Sequence, residues 1–302
     1  VGVARCPVAP PPYIGAVIPL FTTIGLGFVF RKATKVQIGP LIGYTINIGA
    51  PFLVFNQLYT AELGVEAARM VMAAAATLLG ITLLSWLVLK GLGDGPVGPA
   101  LLPSVLPNAG NMGLPLVTFA FGEKALPLAI AYFIVSSLYT NTVGVFLAAS
   151  DRSREGLMGT LRLPLIYAAL AGFLLNQLQV QLPYFLQNTI KLIGDTAVPL
   201  LLITLGAKLA EIGGDINVRG SIASSVLRLA GGFLVGLLVA HGLGMGGLER
   251  KVLVLQSSMP SAVFSYLLSE RFQARPELAS STVVITTTAS LFTIPALLLY
   301  LA

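Results

Sequence analysis

The stretch Pro107-Asn108-Ala109-Gly110-Asn111-Met112-Gly113-Leu114-Pro115 packs two prolines, two glycines and two asparagines into nine positions. It does so inside an apolar run, from about residue 99 to 121, otherwise long enough to cross a bilayer. An interior proline costs a helix about 3 kcal/mol and a glycine about 1 relative to alanine. In hydrocarbon each freed backbone N–H or C=O must also find a partner. The helix is therefore expected to break here. Irregular backbone at membrane depth is tolerated only where it is buried in protein or lines a cavity, so an interrupted span points to a transporter binding site.

The rest of the chain is equally apolar. Of 302 residues 56% are hydrophobic and 10% charged, and the mean hydropathy is +0.88. A soluble domain carries about a quarter charged residues, so the composition predicts an integral membrane protein. Barrel strands alternate in polarity over about ten residues, whereas Val71 to Leu89 is apolar all round apart from small hydroxyls. The class is all-α. Charges, prolines and glycines used as punctuation predict ten transmembrane helices, near residues 13–30, 40–59, 68–89, 100–121, 126–148, 163–179, 189–209, 220–240, 252–269 and 280–301. The first run ends in Arg31-Lys32 without a small-residue cleavage site and reads as a retained span, not a signal peptide.

The net charge of +6 does not point to nucleic acid, because the 18 Lys and Arg residues are scattered in ones and twos at the ends of apolar runs. They report topology. Connections after the odd-numbered spans hold Arg31, Lys32, Lys35, Lys90, Arg152, Arg154, Arg162, Lys208, Arg219, Arg271 and Arg275; the opposite face holds Arg5, Arg69, Lys124, Lys191, Arg250 and Lys251. The positive-inside tendency then predicts a multi-pass protein of the cell (inner) membrane with both termini outside. One cysteine, Cys6, and one histidine, His241, provide no disulfide and none of the usual zinc ligand sets, and no cofactor or metal is expected. The sequence Gly242-Leu243-Gly244-Met245-Gly246-Gly247 has dinucleotide-site spacing but follows a membrane span in place of a strand. Gly232 and Gly236 are better read as a close helix approach.

The chain also echoes itself. Asn47-Ile48-Gly49-Ala50-Pro51-Phe52-Leu53-Val54 returns as Asp195-Thr196-Ala197-Val198-Pro199-Leu200-Leu201-Leu202, an offset of 148, and Gly27-Phe28 returns as Gly172-Phe173. A repeat containing five spans must place its copies in opposite orientations, which predicts two inverted five-helix repeats, residues 1–150 and 151–302. The same offset carries the fourth span onto the ninth, where Gln256-Ser257-Ser258-Met259-Pro260-Ser261 interrupts a second apolar run. Helices 4 and 9 are thus expected to be broken and to cross.

Four half-helix ends would then meet near the midplane, with about +0.5 charge at each N-terminus and −0.5 at each C-terminus. Asn111, and Ser257 or Ser258, are candidate caps of the second halves, with Pro115 and Pro260 in or near their first turns. The expected substrate-binding residues are Asn108, Gly110, Asn111, Gly113, Pro115, Gln256, Ser257, Ser258, Pro260 and Ser261. The exposed N–H groups suit a carboxylate; freed carbonyls with Asn108, Gln256 and Ser261 suit Na⁺ or a proton-bearing water. Asp195, four residues before Pro199, has two readings: an ion-coupling carboxyl whose repeat partner is Asn47, or an interfacial residue beside Lys191. Arg228, inside span 8, reads as a snorkelling or structurally paired arginine before a substrate clamp.

At Asn108 to Pro115 the sequence resembles the auxin efflux carrier family, in its bacterial branch of organic-acid permeases, within the bile/arsenite/riboflavin-type transporter superfamily. The likeness continues in Ala50-Pro51, in Pro199 with Leu205-Gly206-Ala207-Lys208-Leu209, and in Met259-Pro260-Ser261-Ala262. The resemblance implies ten spans in two inverted repeats, a scaffold domain, a transport domain whose crossed helices hold the substrate, and elevator-like alternating access. Its substrates would be small mono- or dicarboxylates driven by H⁺ or Na⁺ gradients, and it allows a homodimer in the lipid bilayer. This chain lacks the long central loop of the plant carriers, with only Ser150 to Arg162 there, and offers Ser261 and Ser265 where many relatives have an asparagine. A sodium-coupled or cation-exchanging carrier on the same fold is the alternative. A lipid-modifying membrane enzyme finds no paired Asp motif, His cluster or Ser/His arrangement to do its chemistry.

Overall fold

The computed structural model describes residues 12–61, 65–93, 97–148, 164–212 and 218–302. They form α1 (Pro12–Thr34), α2 (Gly39–Thr60), α3 (Val65–Leu92), α4 (Val97–Val105), α5 (Ala109–Phe121), α6 (Glu123–Ala148), α7 (Pro164–Gln177), α8 (Tyr184–Glu211), α9 (residues 218–242), α10 (Gly247–Ser257), α11 (Val263–Arg271) and α12 (Pro276–Leu301). Among the described residues there is no strand, only one isolated bridge. Among the described residues seven helices, α1, α2, α3, α6, α8, α9 and α12, are long and apolar enough to cross a membrane. The other expected spans fall short for local reasons. Those at 100–121 and 252–269 are each split into two helices, and the described part of α7, with 14 residues, reaches about 21 Å at 1.5 Å per residue.

The echoed stretches carry matching defects. In α2 a π-helical turn, Thr45–Gly49, precedes Pro51; in α8 the regular helix is interrupted at Thr196, before Pro199. Proline lacks an N–H and its ring clashes with the carbonyl four residues earlier, so each helix must widen or break one turn upstream. The defects lie against each other: the Tyr44 hydroxyl is 3.2 Å from Thr196 Oγ1, and a Cβ added to Gly49 would lie 3.5 Å from Ala197 Cα.

Glycine fixes two helix contacts that mirror each other. A Cβ on Gly27 of α1 would lie 2.2 Å from the Ile203 carbonyl oxygen of α8, and one on Gly172 of α7 would lie 2.6 Å from the Phe55 carbonyl oxygen of α2. Phe55 and Ile203 are themselves 148 residues apart. Around these contacts α1, α2, α7 and α8 form one bundle, while α3 to α6 and α9 to α12 form a second. Each bundle therefore draws helices from both halves of the chain, so packing does not divide it into 1–150 and 151–302. Gly206→Ala should test the first contact, because its Cβ would sit 1.9 Å from the Ile24 carbonyl oxygen of α1, a backbone atom that cannot swing away. Overpacking of this kind costs about 1–3 kcal/mol. A clear fall in the thermal midpoint of the detergent-solubilised protein is expected, with Gly25→Ala, which meets open space, as the unaffected control.

Large apolar side chains such as Leu79, Leu83, Leu192, Leu238 and Phe292 stand on the outside. Around a membrane-length bundle they supply the lipid-facing surface.

Candidate functional site: the crossed helix breaks

The two interruptions meet. The Asn108 N–H donates to the Pro260 carbonyl at 2.8 Å and the Ala262 N–H donates to the Leu106 carbonyl at 2.9 Å, with Pro107 facing Ser261 in an antiparallel bridge. Each break thus satisfies backbone groups that the other has freed, the condition for irregular backbone away from water. Ser261 donates its N–H to Thr286 Oγ1 of α12 at 3.0 Å.

The C-terminal ends of the two first half-helices share one cation. Arg228 is 1% exposed. Its Nη1 donates to the carbonyls of Val105 at 2.8 Å and Ser104 at 3.3 Å, at the end of α4, and its Nη2 donates to the carbonyl of Ser257, the last residue of α10. The side chain leaves α9 from a π-helical turn, Leu227–Gly231. Gly232 and Gly236 let α9 lie on the end of α10, since Cβ atoms there would come within 2.2 Å of the Ser257 carbonyl oxygen and 2.0 Å of its Oγ. The close approach expected at these glycines is present. Arg228 is the structurally paired arginine of the earlier reading, and its partners are the negative ends of two helix dipoles.

The N-terminal ends of the two second half-helices face elsewhere, onto a cavity of about 240 Å³ between the two bundles. Gly110 and Asn111 come from the first turn of α5; Ala262, Val263 and Phe264 come from the start of α11. The second bundle adds Phe133, Ser136, Ser137, Thr140 and Asn141 of α6. The first adds Ile42, Thr45, Ile46 and Ala50 of α2, Pro164 and Leu165 of α7, and Leu201, Thr204, Leu205 and Lys208 of α8. Asn108 also lines it; this side chain is 4% exposed and its Nδ2 has no hydrogen-bond partner. A mostly apolar cavity with a few convergent polar groups is the usual form of a small-molecule site.

Of the ten expected binding residues, Asn108, Gly110 and Asn111 line the cavity. The others support the crossing from behind. Gly113 carries no Cβ because one would sit 2.1 Å from Gln256 Oε1, and Gln256 is fully buried there with neither amide atom hydrogen-bonded. Pro115 is buried in the first turns of α5, Pro260 gives its carbonyl to Asn108, and the Ser261 hydroxyl lies 3.2 Å from that of Ser265. The expected caps are not used. Ser257 and Ser258 turn their hydroxyls back to the Val254 carbonyl at 3.0 and 2.6 Å, closing the end of α10, and Asn111 lies inside the π-helical first turn of α5, past the cap position. The N-caps Asn108 and Ala262 make no side-chain cap, which leaves those helix ends open toward the cavity.

Asp195 lies outside this cavity. Its carboxylate accepts from Lys191 Nζ at 2.8 Å one helical turn away, with side chains 58% and 63% exposed, as in the interfacial reading. Its echo Asn47 is exposed and donates from Nδ2 to the Gly43 carbonyl within α2. Neither has a place in the site described here. Cys6 lies outside the described residues; His241 is exposed at the end of α9, and the glycine run after it is a turn into α10 with no strand before it. The α6 residues were missed by sequence reasoning, although Ser136, Ser137, Thr140 and Asn141 recur at helical spacing as a polar stripe in an apolar run.

Membrane-length helices around a cavity at a doubly broken crossing define a membrane transport protein, and comparison with known proteins agrees. Residues 152–298 match the family described as membrane transport protein. The chain is 28% identical to an "Uncharacterized transporter" of Methanothermobacter thermautotrophicus over 83% of this chain and 84% of that one. It is 24% identical to the "Putative malonate transporter" of Rhizobium meliloti over 94% of each, and 20% identical to "Auxin efflux carrier component 8" of Arabidopsis thaliana over 90% and 92%. The chain is thus similar to membrane transporters, one of them named as an auxin efflux carrier component.

Proposed function

We propose that this protein is a secondary transporter of a small organic anion, carried in the cavity between the two bundles. One observation carries the reading: both open helix N-termini at the crossing face the cavity, while both C-termini are satisfied on the other side by the buried cation Arg228. The dipoles are therefore sorted. Their positive ends are offered to a ligand, with the unpartnered Asn108 Nδ2 buried beside them in the cavity wall, and that combination favours a carboxylate over a cation. The name of the Rhizobium relative supports the same substrate class.

The wider topology belongs to the same proposal. Counting the pairs α4 with α5 and α10 with α11, and also α7, as spans makes ten in two inverted sets of five, with α5 and α11 as the crossing second halves. The mirrored contacts Gly27 on Ile203 and Gly172 on Phe55 support that reading. Several cavity residues, Ile42, Asn141, Pro164, Lys208 and Leu267, sit toward helix ends whose connections follow spans 1, 5, 7 and 9. With both termini outside, this opening is cytoplasmic and the state is inward-facing. Elevator-like motion of the second bundle against α1, α2, α7 and α8 would carry the crossing to the other face. Gradient coupling to H⁺ or Na⁺ and a homodimeric assembly remain parts of the proposal.

Counterflow of labelled malonate and propionate in proteoliposomes, with imposed pH or Na⁺ gradients, tests it. Internal unlabelled carboxylate should accelerate uptake of external label. The absence of counterflow for every small carboxylate tried, with a folded protein in the vesicles, would reject the anion reading.

A further inference from the structure

We infer that Lys208 is a second anion-binding pole of the cavity, so that the favoured substrate is a short dicarboxylate dianion; this rests on the anion reading above. Leu201, Thr204, Leu205 and Lys208 recur at i, i+3, i+4 and i+7 and line the cavity along one face of α8. Seven residues of helix span about 10 Å, so the stripe runs from buried Leu201 to a lysine that is 26% exposed at the rim. Among the described residues, Lys208 is the single charged one lining the cavity. The crossing supplies one positive pole and Lys208 the other, with Phe133, Leu201, Leu205 and Phe264 offering apolar wall for a short carbon chain.

The lysine is held ready by a carboxylate that it does not own. Lys208 Nζ donates to Glu211 Oε2 at 2.6 Å, and Arg31 Nε of α1 donates to Glu211 Oε1 at 3.0 Å. Two cations share one carboxylate, so the group keeps a net positive charge. A partly exposed pair of this kind is weak enough to exchange. An arriving carboxylate displaces Glu211 from Lys208 while Arg31 retains Glu211. Glu211 is thus a built-in competitor for the second carboxylate, and a monocarboxylate seated at the crossing gains nothing from Lys208.

The test uses the full chain in proteoliposomes, with labelled malonate and labelled propionate, which share a three-carbon skeleton and differ by one carboxylate. Wild type should prefer malonate by about tenfold in apparent affinity, the scale of one additional charge contact worth a factor of ten. Lys208→Gln should bring the two to parity by weakening malonate alone, and Lys208→Arg should keep the preference. Removing the competitor with Glu211→Gln should tighten malonate about two- to threefold, within the range of an exposed ion pair. If Lys208→Gln does not fold, Glu211→Gln decides alone: unchanged or weaker malonate affinity overturns the inference. A malonate preference that survives Lys208→Gln overturns it too. Transport of propionate without preference for malonate overturns it while the anion reading stands, and failure of both substrates removes the anion reading itself.

Discussion

Arg228→Met should cost the protein most of its transport and about 3 kcal/mol or more of stability, since hydrogen bonds to a charged group are worth about 1.5–3 kcal/mol and a buried acceptor left bare adds its own desolvation penalty. The carbonyls of Ser104, Val105 and Ser257 would lose their donor together, at the ends of both first half-helices. With the cation gone, two helix C-termini would point at one another inside the bundle, and the pairing of Asn108 with Pro260 and of Ala262 with Leu106 would have to hold the crossing alone. Arg228→Lys separates charge from shape. It retains the cation but loses the planar fork that reaches two helix ends at once, so it should fall between wild type and Arg228→Met. Retention on size exclusion after a heating series reads stability, and uptake per folded molecule reads function. Wild-type values for Arg228→Met in both would mean that the crossing needs no cation.

Asn108→Asp should leave the fold close to native and reduce carboxylate binding by about a hundredfold, because two like charges about 4 Å apart repel by up to about 4 kcal/mol at the effective dielectric of a protein surface region. The two side chains are nearly the same shape. The Nδ2 that this substitution removes has no hydrogen-bond partner in the protein, so nothing holding the crossing together is lost. The N–H of residue 108 still donates to Pro260. Protonation of the new carboxyl would restore binding, so the deficit should shrink as the pH falls toward the carboxylate range. A binding constant for malonate or propionate measured from pH 5 to 8 on the purified variant checks both the size and the direction. Equal binding by variant and wild type across that range would place the anion away from Asn108.

The double break was legible in the sequence because proline, glycine and asparagine are costly in the apolar run at Pro107 to Pro115, and because the repeat offset carries that run onto Gln256 to Ser261, where Pro260 with its flanking serines interrupts a second one. What the breaks do to each other was less so. The partners of Arg228 lie 123 and 29 residues away in sequence, so its depth within a span could be counted but not its role. Asp195 shows the complementary limit: distance from Pro199 measures position along the helix, whereas the exposed pair with Lys191 depends on which face the residue occupies. The serines before Pro260 were read as helix N-caps because that is their commonest use. They close the preceding helix instead, since α11 begins only at Val263 and its open end is turned to the cavity. The lining contributed by α2 and α8 arises from packing between bundles, which no local pattern displays, whereas that of α6 does show locally, as the polar stripe Ser136, Ser137, Thr140 and Asn141.

The central claim is that a carboxylate sits against the open N-terminus of α5. It is tested most directly by the rate at which a thiol reagent labels Asn111→Cys in a Cys6→Ser background, since residue 111 lies in the cavity wall and Cys6 is the chain's one native thiol. Saturating malonate or propionate should slow labelling several-fold, and malonamide, of similar size but uncharged, should not. Labelling at one unchanged rate under all conditions, in a protein that still transports a carboxylate, would contradict the account.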